Sequence, residues 1–126
     1  MKFQPDQMAG TNVISRYEPG VLWVGNQPHQ RSLLVPWRGD VLPWAVQSTD
    51  ELTEAHFEAL LALKPELVIF GSGLKLKFVP PGLMRCLIAQ RIGVETMDTG
   101  AACRTFNVLV AEGRSPVAAL LLPPPS

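Results

Sequence analysis

The fold is decided by residues 67–73, LVIFGSG, where four consecutive apolar residues lead directly into a turn with two glycines. A short, continuous and bulky apolar run is typical of a β-strand that is covered on both faces, as in a parallel sheet. The two glycines allow the backbone to turn sharply at the carboxyl end of that strand. This stretch therefore predicts an α/β protein built around a buried central strand.

Downstream of this strand, helix and strand patterns alternate. The elements that we predict are a helix over residues 80–91, a strand over 94–97, a helix over 99–111 and a strand over 117–122. Pro80 and Pro81 suit the first turn of the earlier helix. Asp98 or Thr99 caps the later one, and Gly113 ends it. Since crossovers between such strands are right-handed, this half predicts a parallel sheet covered by helices.

Upstream, the chain is rich in strand patterns. Glu18-Pro19-Gly20 predicts the turn of a hairpin within residues 13–24. Two more strands are predicted over residues 32–37 and 41–47, and Pro43 places the second at a sheet edge or at a bulge. Hairpin-like strands joined to an alternating second half predict a mixed α/β layered domain.

One helix is predicted before the central strand, over residues 54–63. Thr53 is its expected N-cap, and Leu52 is expected to pack against Phe57 as a hydrophobic staple. The buried stripe of this helix is predicted to consist of Phe57, Leu60, Leu61 and Ala62. Lys64 precedes a proline and therefore ends the helix.

The chain length of 126 residues fits one domain of ordinary size. We predict a flexible N-terminal arm over residues 1–12, a single domain over 13–122 and a stiff proline-rich tail over 123–126. The first residues lack the apolar segment of a signal peptide, and no apolar run reaches the roughly 18 residues that a membrane span needs. We therefore expect a cytoplasmic protein without a membrane span.

The charge pattern argues against a nucleic-acid partner. The formal net charge is zero, from 11 basic and 11 acidic residues, whereas nucleic-acid binders usually carry a basic excess. Charged residues make up only 17% of the chain, which favours a surface for a partner or for self-association. One acid-free stretch contains Lys75, Lys77, Arg85 and Arg91. It predicts either a local basic face or an ordinary solvated helix face.

The cysteines and histidines do not form a catalytic pattern. Cys86 and Cys103 both lie in apolar stretches, without the spacing of a zinc site or a redox pair. Cys103 falls near the start of a helix, where a thiolate is stabilised, but a nucleophile also needs a nearby base. His29, in a predicted loop, and His56 share no motif with Cys103. We predict structural, reduced thiols, and we predict no catalytic residue, metal ion or cofactor.

Two glycine-bearing turns at strand ends form the candidate site. Ligands in open α/β sheets favour the carboxyl ends of strands, and free N–H groups at a helix start attract anions. If the two strands are neighbours, both turns lie on one edge of the sheet and share a cleft. The predicted ligand-binding residues are Gly71, Ser72, Gly73, Lys75, Thr99, Arg104, Thr105 and Asn107. The alternative interpretation is a tight turn with exposed lysines, followed by helix capping at Thr99.

Several short motifs follow one another over residues 13–122. They are Gly20-Val21-Leu22-Trp23, Trp44, Phe70-Gly71-Ser72-Gly73, Pro80, Ile92-Gly93-Val94-Glu95-Thr96-Met97-Asp98-Thr99, Ala101-Ala102-Cys103-Arg104-Thr105-Phe106-Asn107, Glu112-Gly113-Arg114 and Val117-Ala118-Ala119-Leu120-Leu121. Their order and spacing resemble the MTH938-like family, also called DUF498. Ser72 stands where a Gly-Thr-Gly form is common in that family, and both flanking glycines are kept.

The resemblance implies a three-layer α/β fold with a mixed central sheet, helices and a strand-rich N-terminal half. The family includes the mitochondrial complex I assembly factor 3 proteins, which have no known catalysis, and this chain looks like a bacterial member. We therefore expect a non-catalytic binding or assembly protein that meets a protein partner through a cleft or face near the strand ends, with self-association left open. The alternative is a protein or enzyme that holds a small anionic ligand along one edge. That edge consists of Ser72, Thr99, Arg104 and Asn107.

Overall fold

The structure is a computed structural model that describes residues 10–123. Its strands are β1 (Ile14–Glu18), β2 (Val21–Val24), β3 (Gln27–His29), β4 (Leu33–Pro36), β5 (Leu42–Pro43), β6 (Leu67–Gly71), β7 (Gly93–Met97) and β8 (Pro116–Leu120). Its α-helices are α1 (Glu54–Glu58), α2 (Arg85–Ala89) and α3 (Thr99–Ala111). Short 3-10 helices cover Thr49–Glu51, Ala59–Leu63 and Pro81–Met84.

A mixed five-stranded sheet forms the middle layer, with the strand order β5-β4-β8-β6-β7. β6 runs parallel to both β7 and β8, which confirms the parallel sheet predicted for the second half. β4 runs antiparallel to β8 and to β5. The first three strands form a separate antiparallel sheet in the order β1-β2-β3, and this sheet contains the predicted hairpin.

The central sheet separates two hydrophobic cores. β6 is buried at all five positions, because both of its faces are covered. The α3 core lies on one face and includes Ile14, Leu22, Ile69, Phe106 and Leu120. The α1–α2 core lies on the other face and includes Trp44, Phe57, Phe70, Leu87 and Leu121. Since helices and the small sheet cover both faces, the predicted three-layer α/β fold is confirmed.

The first predicted helix is α-helical for only its first five residues. Thr53 is its N-cap, as predicted, and Phe57 is buried. From Ala59 the chain tightens into a 3-10 helix, which has about 3.0 residues per turn instead of about 3.6. Ala62 is exposed on this tighter helix, so its predicted place in the buried stripe is wrong.

The helix predicted over residues 80–91 is also shorter than the sequence suggests. It begins as the 3-10 helix Pro81–Met84 and continues as α2. Arg91 has a φ of +62° and lies beyond the helix. Two bonds close the helix end there, from Ile92 N to Leu87 O (2.9 Å) and from Arg91 N to Ile88 O (2.9 Å). This is the Schellman arrangement, formed here without the glycine that usually marks it.

The strand-rich half differs from the prediction at two places. Residues 27–29, predicted as a loop, form the edge strand β3 beside β2. The strand predicted over residues 41–47 shrinks to the two residues of β5, at the edge of the central sheet. Pro28 and Pro43 both lack an N–H group, so both strands suit an edge rather than the middle of a sheet.

The chain ends lie largely outside the described residues. Of the predicted arm, residues 1–9 are outside, whereas Thr11 pairs with Arg38 across an isolated bridge that attaches it to the domain. Of the predicted tail, only Pro123 is described. The domain limits of 13 and 122 therefore stay a prediction.

Candidate functional site

Thr99 joins the ends of three strands at the carboxyl edge of the central sheet. Its hydroxyl accepts a hydrogen bond from Gly73 N (2.9 Å) and donates one to Leu121 O (2.8 Å). Its backbone N–H donates to Gly73 O (2.9 Å). Thr99 is fully buried, and its hydroxyl is already bonded to the backbone on both sides. Thr99 therefore holds the turn together and does not cap α3, whose N-cap is Asp98.

Glycine is required at the two positions of the turn for different physical reasons. A Cβ atom at Gly71 would lie 2.9 Å from Thr99 Oγ1 and 3.0 Å from Thr99 Cα, so only glycine fits beneath the start of α3. Gly73 has a φ of +112°, a backbone conformation that side chains disfavour. Both positions therefore shape the strand end.

Ser72 fixes the loop that follows the turn. Its hydroxyl donates to Lys75 O (2.7 Å) and accepts from Lys77 N (2.9 Å). Its backbone N–H donates to Met97 O (2.8 Å), which ties the loop to the end of β7. Ser72 is only 6% exposed, and both bonds of its hydroxyl are part-buried. One buried hydroxyl thus sets the shape of the chain through residue 77.

In this loop, residues 74–78 (LKLKF) alternate apolar and basic side chains, and we call them the exposed segment. Leu74 is 62% exposed, Leu76 is 51% and Phe78 is 76%. Lys75 and Lys77 alternate with them and are exposed as well. In the described part of the chain, no backbone N–H or C=O group of Leu76 or Phe78 has a hydrogen-bond partner. Leu76 and Phe78 are therefore accessible to a partner through both their side chains and their backbone groups.

A cavity of about 260 Å³ lies beside the exposed segment. Its lining includes Ser48, Thr49, Ser72, Gly73, Lys75 and Lys77. Leu74 also lines it, together with the two lysines, whereas Leu76 and Phe78 do not. Ser72, Gly73 and Lys75, three of the predicted site residues, are thus brought together.

The predicted site residues on α3 do not line the cavity beside the exposed segment. Arg104 and Asn107 line a separate cavity of about 310 Å³ against β1. The Asn107 side chain donates to Ile14 O (2.9 Å) and accepts from Ile14 N (2.9 Å), so its amide serves as a pairing partner for β1. Arg104 is exposed, and Thr105 is half-buried and lines neither cavity.

The predicted shared cleft is not formed, because the two cavities have no lining residue in common. The reason is the direction of α3, which leads away from the strand ends and packs against β1. Asn107 is eight residues past Thr99, which is about 12 Å along a helix axis. The structure thus separates the Ser72 side from the Arg104 side, and ligand binding by either stays a prediction.

Cys103 is buried in the α3 core and is 3% exposed. Burial raises the pKa of its thiol to about 12, with Arg104 opposing the shift and Asp98 adding to it. Burial likewise raises the pKa of Tyr17, which lines the same cavity, with further contributions from Cys103 and Asp98. A protonated thiol is a poor nucleophile, so the geometry is consistent with the predicted structural role.

The histidines and acids are dispersed. His56 accepts a hydrogen bond from Thr53 N (3.0 Å) and belongs to the N-terminal cap of α1. Asp98 Oδ1 accepts from Ala101 N (2.8 Å), which makes Asp98 the N-cap of α3. Within residues 10–123, no three His, Cys, Asp or Glu side chains are grouped as a metal site requires. Over the same range, no helix is long and apolar enough to cross a bilayer.

Sequence reasoning missed the apolar half of the exposed segment. It selected Lys75 for its charge but assigned no role to Leu74, Leu76 or Phe78. The signal was present as an alternation of apolar and basic residues between Gly73 and Pro80. Alternation of this kind predicts a half-buried strand, and only the structure establishes that the apolar side is uncovered. The sequence patterns also did not indicate a cavity of about 580 Å³ between the edge strands β3 and β5.

A mixed five-stranded sheet between helices, with a small antiparallel sheet on one face, defines a three-layer α/β domain. The chain belongs to the family described as "Protein of unknown function (DUF498/DUF598)", whose model matches residues 14–121. One relative is the NADH dehydrogenase [ubiquinone] 1 alpha subcomplex assembly factor 3 of Bos taurus. It is 37% identical over 102 residues, which cover 79% of this chain and 54% of that protein. The chain thus spans about half the length of this relative.

Solved structures of bacterial proteins have the same fold. A crystal structure from Bordetella parapertussis superposes with a TM-score of 0.86 at 34% identity, covering 90% of this chain and 98% of that one. A solution structure from Bordetella pertussis, described as a Mth938-like domain, gives a TM-score of 0.79 at 28% identity. That match covers 100% of this chain and 95% of the other. Together with the family model, these structures confirm the MTH938-like resemblance.

Proposed function

We propose that this protein is a non-catalytic binding protein of the assembly type, which holds a protein partner at the face near the strand ends. The observation that carries this proposal is the exposed segment. Three large apolar side chains stand in water within five residues, with Phe78 76% exposed. Clusters of this kind mark interaction sites on soluble proteins, whereas single exposed apolar residues do not.

The energetics favour binding through this segment. Burying one such side chain in a partner contributes about 1.5 to 3 kcal/mol. Binding normally also costs free energy to order a flexible loop. The two hydrogen bonds of the Ser72 hydroxyl already hold the chain at Lys75 and Lys77, so that cost is reduced. The exposed segment is therefore preorganised for binding.

The relatives support a protein partner. An assembly factor acts by contact with the protein that it helps to assemble, and the Bos taurus relative is named as such a factor. We propose residues 13–122 as the acting unit, because the family model covers 14–121. We propose the cytoplasm as its location, a reducing compartment that suits the two free cysteines.

A second candidate is a small anionic ligand at the cavity beside α3. The observation that favours it is Arg104, which is exposed, lines the cavity and has no ion-pair partner within the described residues. Inorganic phosphate is the first probe. A rise in melting temperature with wild type that is lost in Arg104→Ala supports this candidate, and equal behaviour of both proteins excludes it.

The main proposal is tested by photo-crosslinking from position 78. A benzoylphenylalanine replaces Phe78 in cells, and a control protein carries it at Val108, an apolar residue on α3 that is 55% exposed. We expect one protein to be captured from position 78 and not from position 108. The captured protein is then purified, and Phe78→Ala is expected to weaken its binding about tenfold while Val108→Ala does not.

Four outcomes overturn the main proposal. They are no capture at all, capture of only a second copy of this chain, capture of lipid alone, and equal capture from both positions. Melting temperatures of both alanine variants serve as the folding control. Since both side chains are exposed, we expect each variant to melt within a few degrees of wild type.

A further inference from the structure

We infer that the partner presents an apolar cleft bordered by carboxylates, and that one of its acidic side chains enters the cavity beside Ser72. This inference rests on the proposed function and adds the chemistry of the partner. Leu76 and Phe78 fill the apolar cleft, while Lys75 and Lys77 pair with the acids. The cavity lining combines the polar side chains of Ser48, Thr49, Ser72, Lys75 and Lys77 with Gly73, Leu74 and Pro123, and it includes no acidic side chain.

The stretch of chain that carries the two cavity lysines is basic, and Asp50 and Glu51, which follow the lining residue Thr49, are exposed and do not line the cavity. Residues 67–94 contain four basic residues and no acidic residue, although the whole chain is neutral. Neither Lys75 nor Lys77 takes part in an ion pair; the ion pairs found among the described residues are Arg16–Glu18 and Arg114–Glu66. Both ammonium groups are therefore available to an external carboxylate. Electrostatic attraction to these lysines is expected to speed the association of a partner with matching acidic side chains and to make its binding more specific.

The orientation of the side chains separates the two kinds of contact. Lys75 and Lys77 line the cavity of about 260 Å³, and Leu76 and Phe78 do not. Ser48 and Thr49, half-buried on the opposite wall, add two hydroxyl groups. A cavity of this size holds a carboxylate side chain but not a folded segment. The acidic contact is therefore made inside the cavity and the apolar contact outside it.

The open backbone favours a protein over a lipid surface. Basic residues among exposed apolar ones also suit the surface of an anionic membrane. However, the N–H and C=O groups of Leu76 and Phe78 are unpaired in the described part of the chain. Inserting them into hydrocarbon would leave them without partners at a cost of several kcal/mol. A protein can pair with these groups, as strands do when they add to an open edge.

The test uses a random peptide library displayed on phage as the probe, so the natural partner is not needed. The library is selected in parallel on wild type, on the double variant Lys75→Glu/Lys77→Glu and on Phe78→Ala. We expect wild type to enrich peptides in which Asp or Glu stands beside aromatic or aliphatic residues. We expect the double variant to select Lys or Arg at those positions, and Phe78→Ala to bind the wild-type peptides about tenfold more weakly.

Ionic strength gives a second measurement. Binding of an enriched peptide to wild type is expected to weaken about tenfold between 50 mM and 500 mM NaCl, because the added salt screens the lysines. Selection of identical peptides by wild type and by the double variant, or of peptides without acidic residues, overturns the inference. So does binding to phosphatidylglycerol vesicles with no peptide enriched. Circular dichroism verifies the fold of each variant, whose altered residues are exposed.

The two experiments distinguish failure of this inference from failure of the proposed function. If crosslinking at position 78 captures a protein but the peptides show no acidic preference, the partner chemistry is wrong while the binding role stands. If crosslinking captures no protein, the binding role itself fails, whatever the peptides show.

Discussion

A single hydroxyl group joins two strand ends at the carboxyl edge of the sheet, because Thr99 bonds to Gly73 and Leu121. Thr99→Val keeps the shape of the side chain but leaves a buried N–H and a buried C=O unpaired. Each such group costs about 1 to 3 kcal/mol, so we expect a loss of about 2 to 6 kcal/mol in unfolding free energy. Urea denaturation measures this loss.

Thr99→Ser is the matched control, because it keeps the hydroxyl and removes only a methyl group. We expect it to lose less than half as much stability as Thr99→Val. Equal losses for the two variants would mean that packing, and not the pair of hydrogen bonds, is what makes Thr99 important.

At the same scale, the thiol of Cys103 illustrates how burial controls reactivity. With a pKa of about 12 and an exposed fraction of 3%, almost none of it is an accessible thiolate at pH 8. We expect iodoacetamide to alkylate Cys103 about 100-fold or more slowly in the folded protein than in urea. Mass spectrometry of the labelled peptides separates Cys103 from the half-buried Cys86. Rapid labelling of folded Cys103 would restore the nucleophile hypothesis.

At the scale of elements, the sequence predicts best where a local pattern and the tertiary environment agree. The run at 67–70 lies in β6 and is buried throughout, and α3 runs from Thr99 to Ala111 as predicted. α2 is shorter because a Schellman arrangement at Arg91 closes it without glycine. Nothing in the residue type at 91 signals that closure, since a non-glycine residue with positive φ is selected by its surroundings.

In the candidate site, too, some features follow from a local sequence pattern and others depend on the tertiary environment. Gly73 requires a positive φ, which a glycine after a strand predicts. The separation of Ser72 from Arg104 depends on the packing of α3 against β1, and a contact between elements so far apart in the chain has no local sequence pattern. The exposure of Phe78 depends on the absence of a covering element, which no property of the five-residue segment itself can reveal.

Glu66 links the beginnings of two parallel strands, β6 and β8. Its carboxylate accepts from Ser115 N (3.0 Å) and from Arg114 Nε (2.7 Å), and both bonds lower its pKa below the ordinary value of 4.5. A carboxyl group with a lower pKa in the folded state stabilises the fold above its unfolded pKa. This contribution is lost as the pH falls through the folded pKa.

We therefore expect Glu66→Gln to melt below wild type at pH 7, and the difference to shrink as the pH is lowered from 5 to 3. Melting is followed by circular dichroism at each pH. Glu58→Gln, at an exposed position of α1, is the control and should show no comparable trend. A difference that stays constant down to pH 3 would show that the charge of Glu66 does not contribute.

At the scale of the whole molecule, the segment that begins with β8 belongs to both cores at once. Ala118, Leu120 and Leu122 point into the α3 core, whereas Val117, Ala119 and Leu121 point into the α1–α2 core. The same alternation occurs in β6, its parallel neighbour. A defect on one face therefore shifts strands that the other face needs, so the layers are expected to unfold together.

Leu120 and Leu121 test this coupling, since they are adjacent, fully buried and directed into opposite cores. We expect Leu120→Ala and Leu121→Ala each to cost about 2 to 5 kcal/mol. Hydrogen exchange read by mass spectrometry should then show the slowest amides of α3 and β6 losing protection by the same free energy in both variants. If Leu121→Ala instead loosened α1 and α2 while α3 kept its full protection, the outer layers would be separate units. The exposed segment, which leads from β6 to α2, would then move with the α1–α2 layer, and partner binding would stabilise that layer alone.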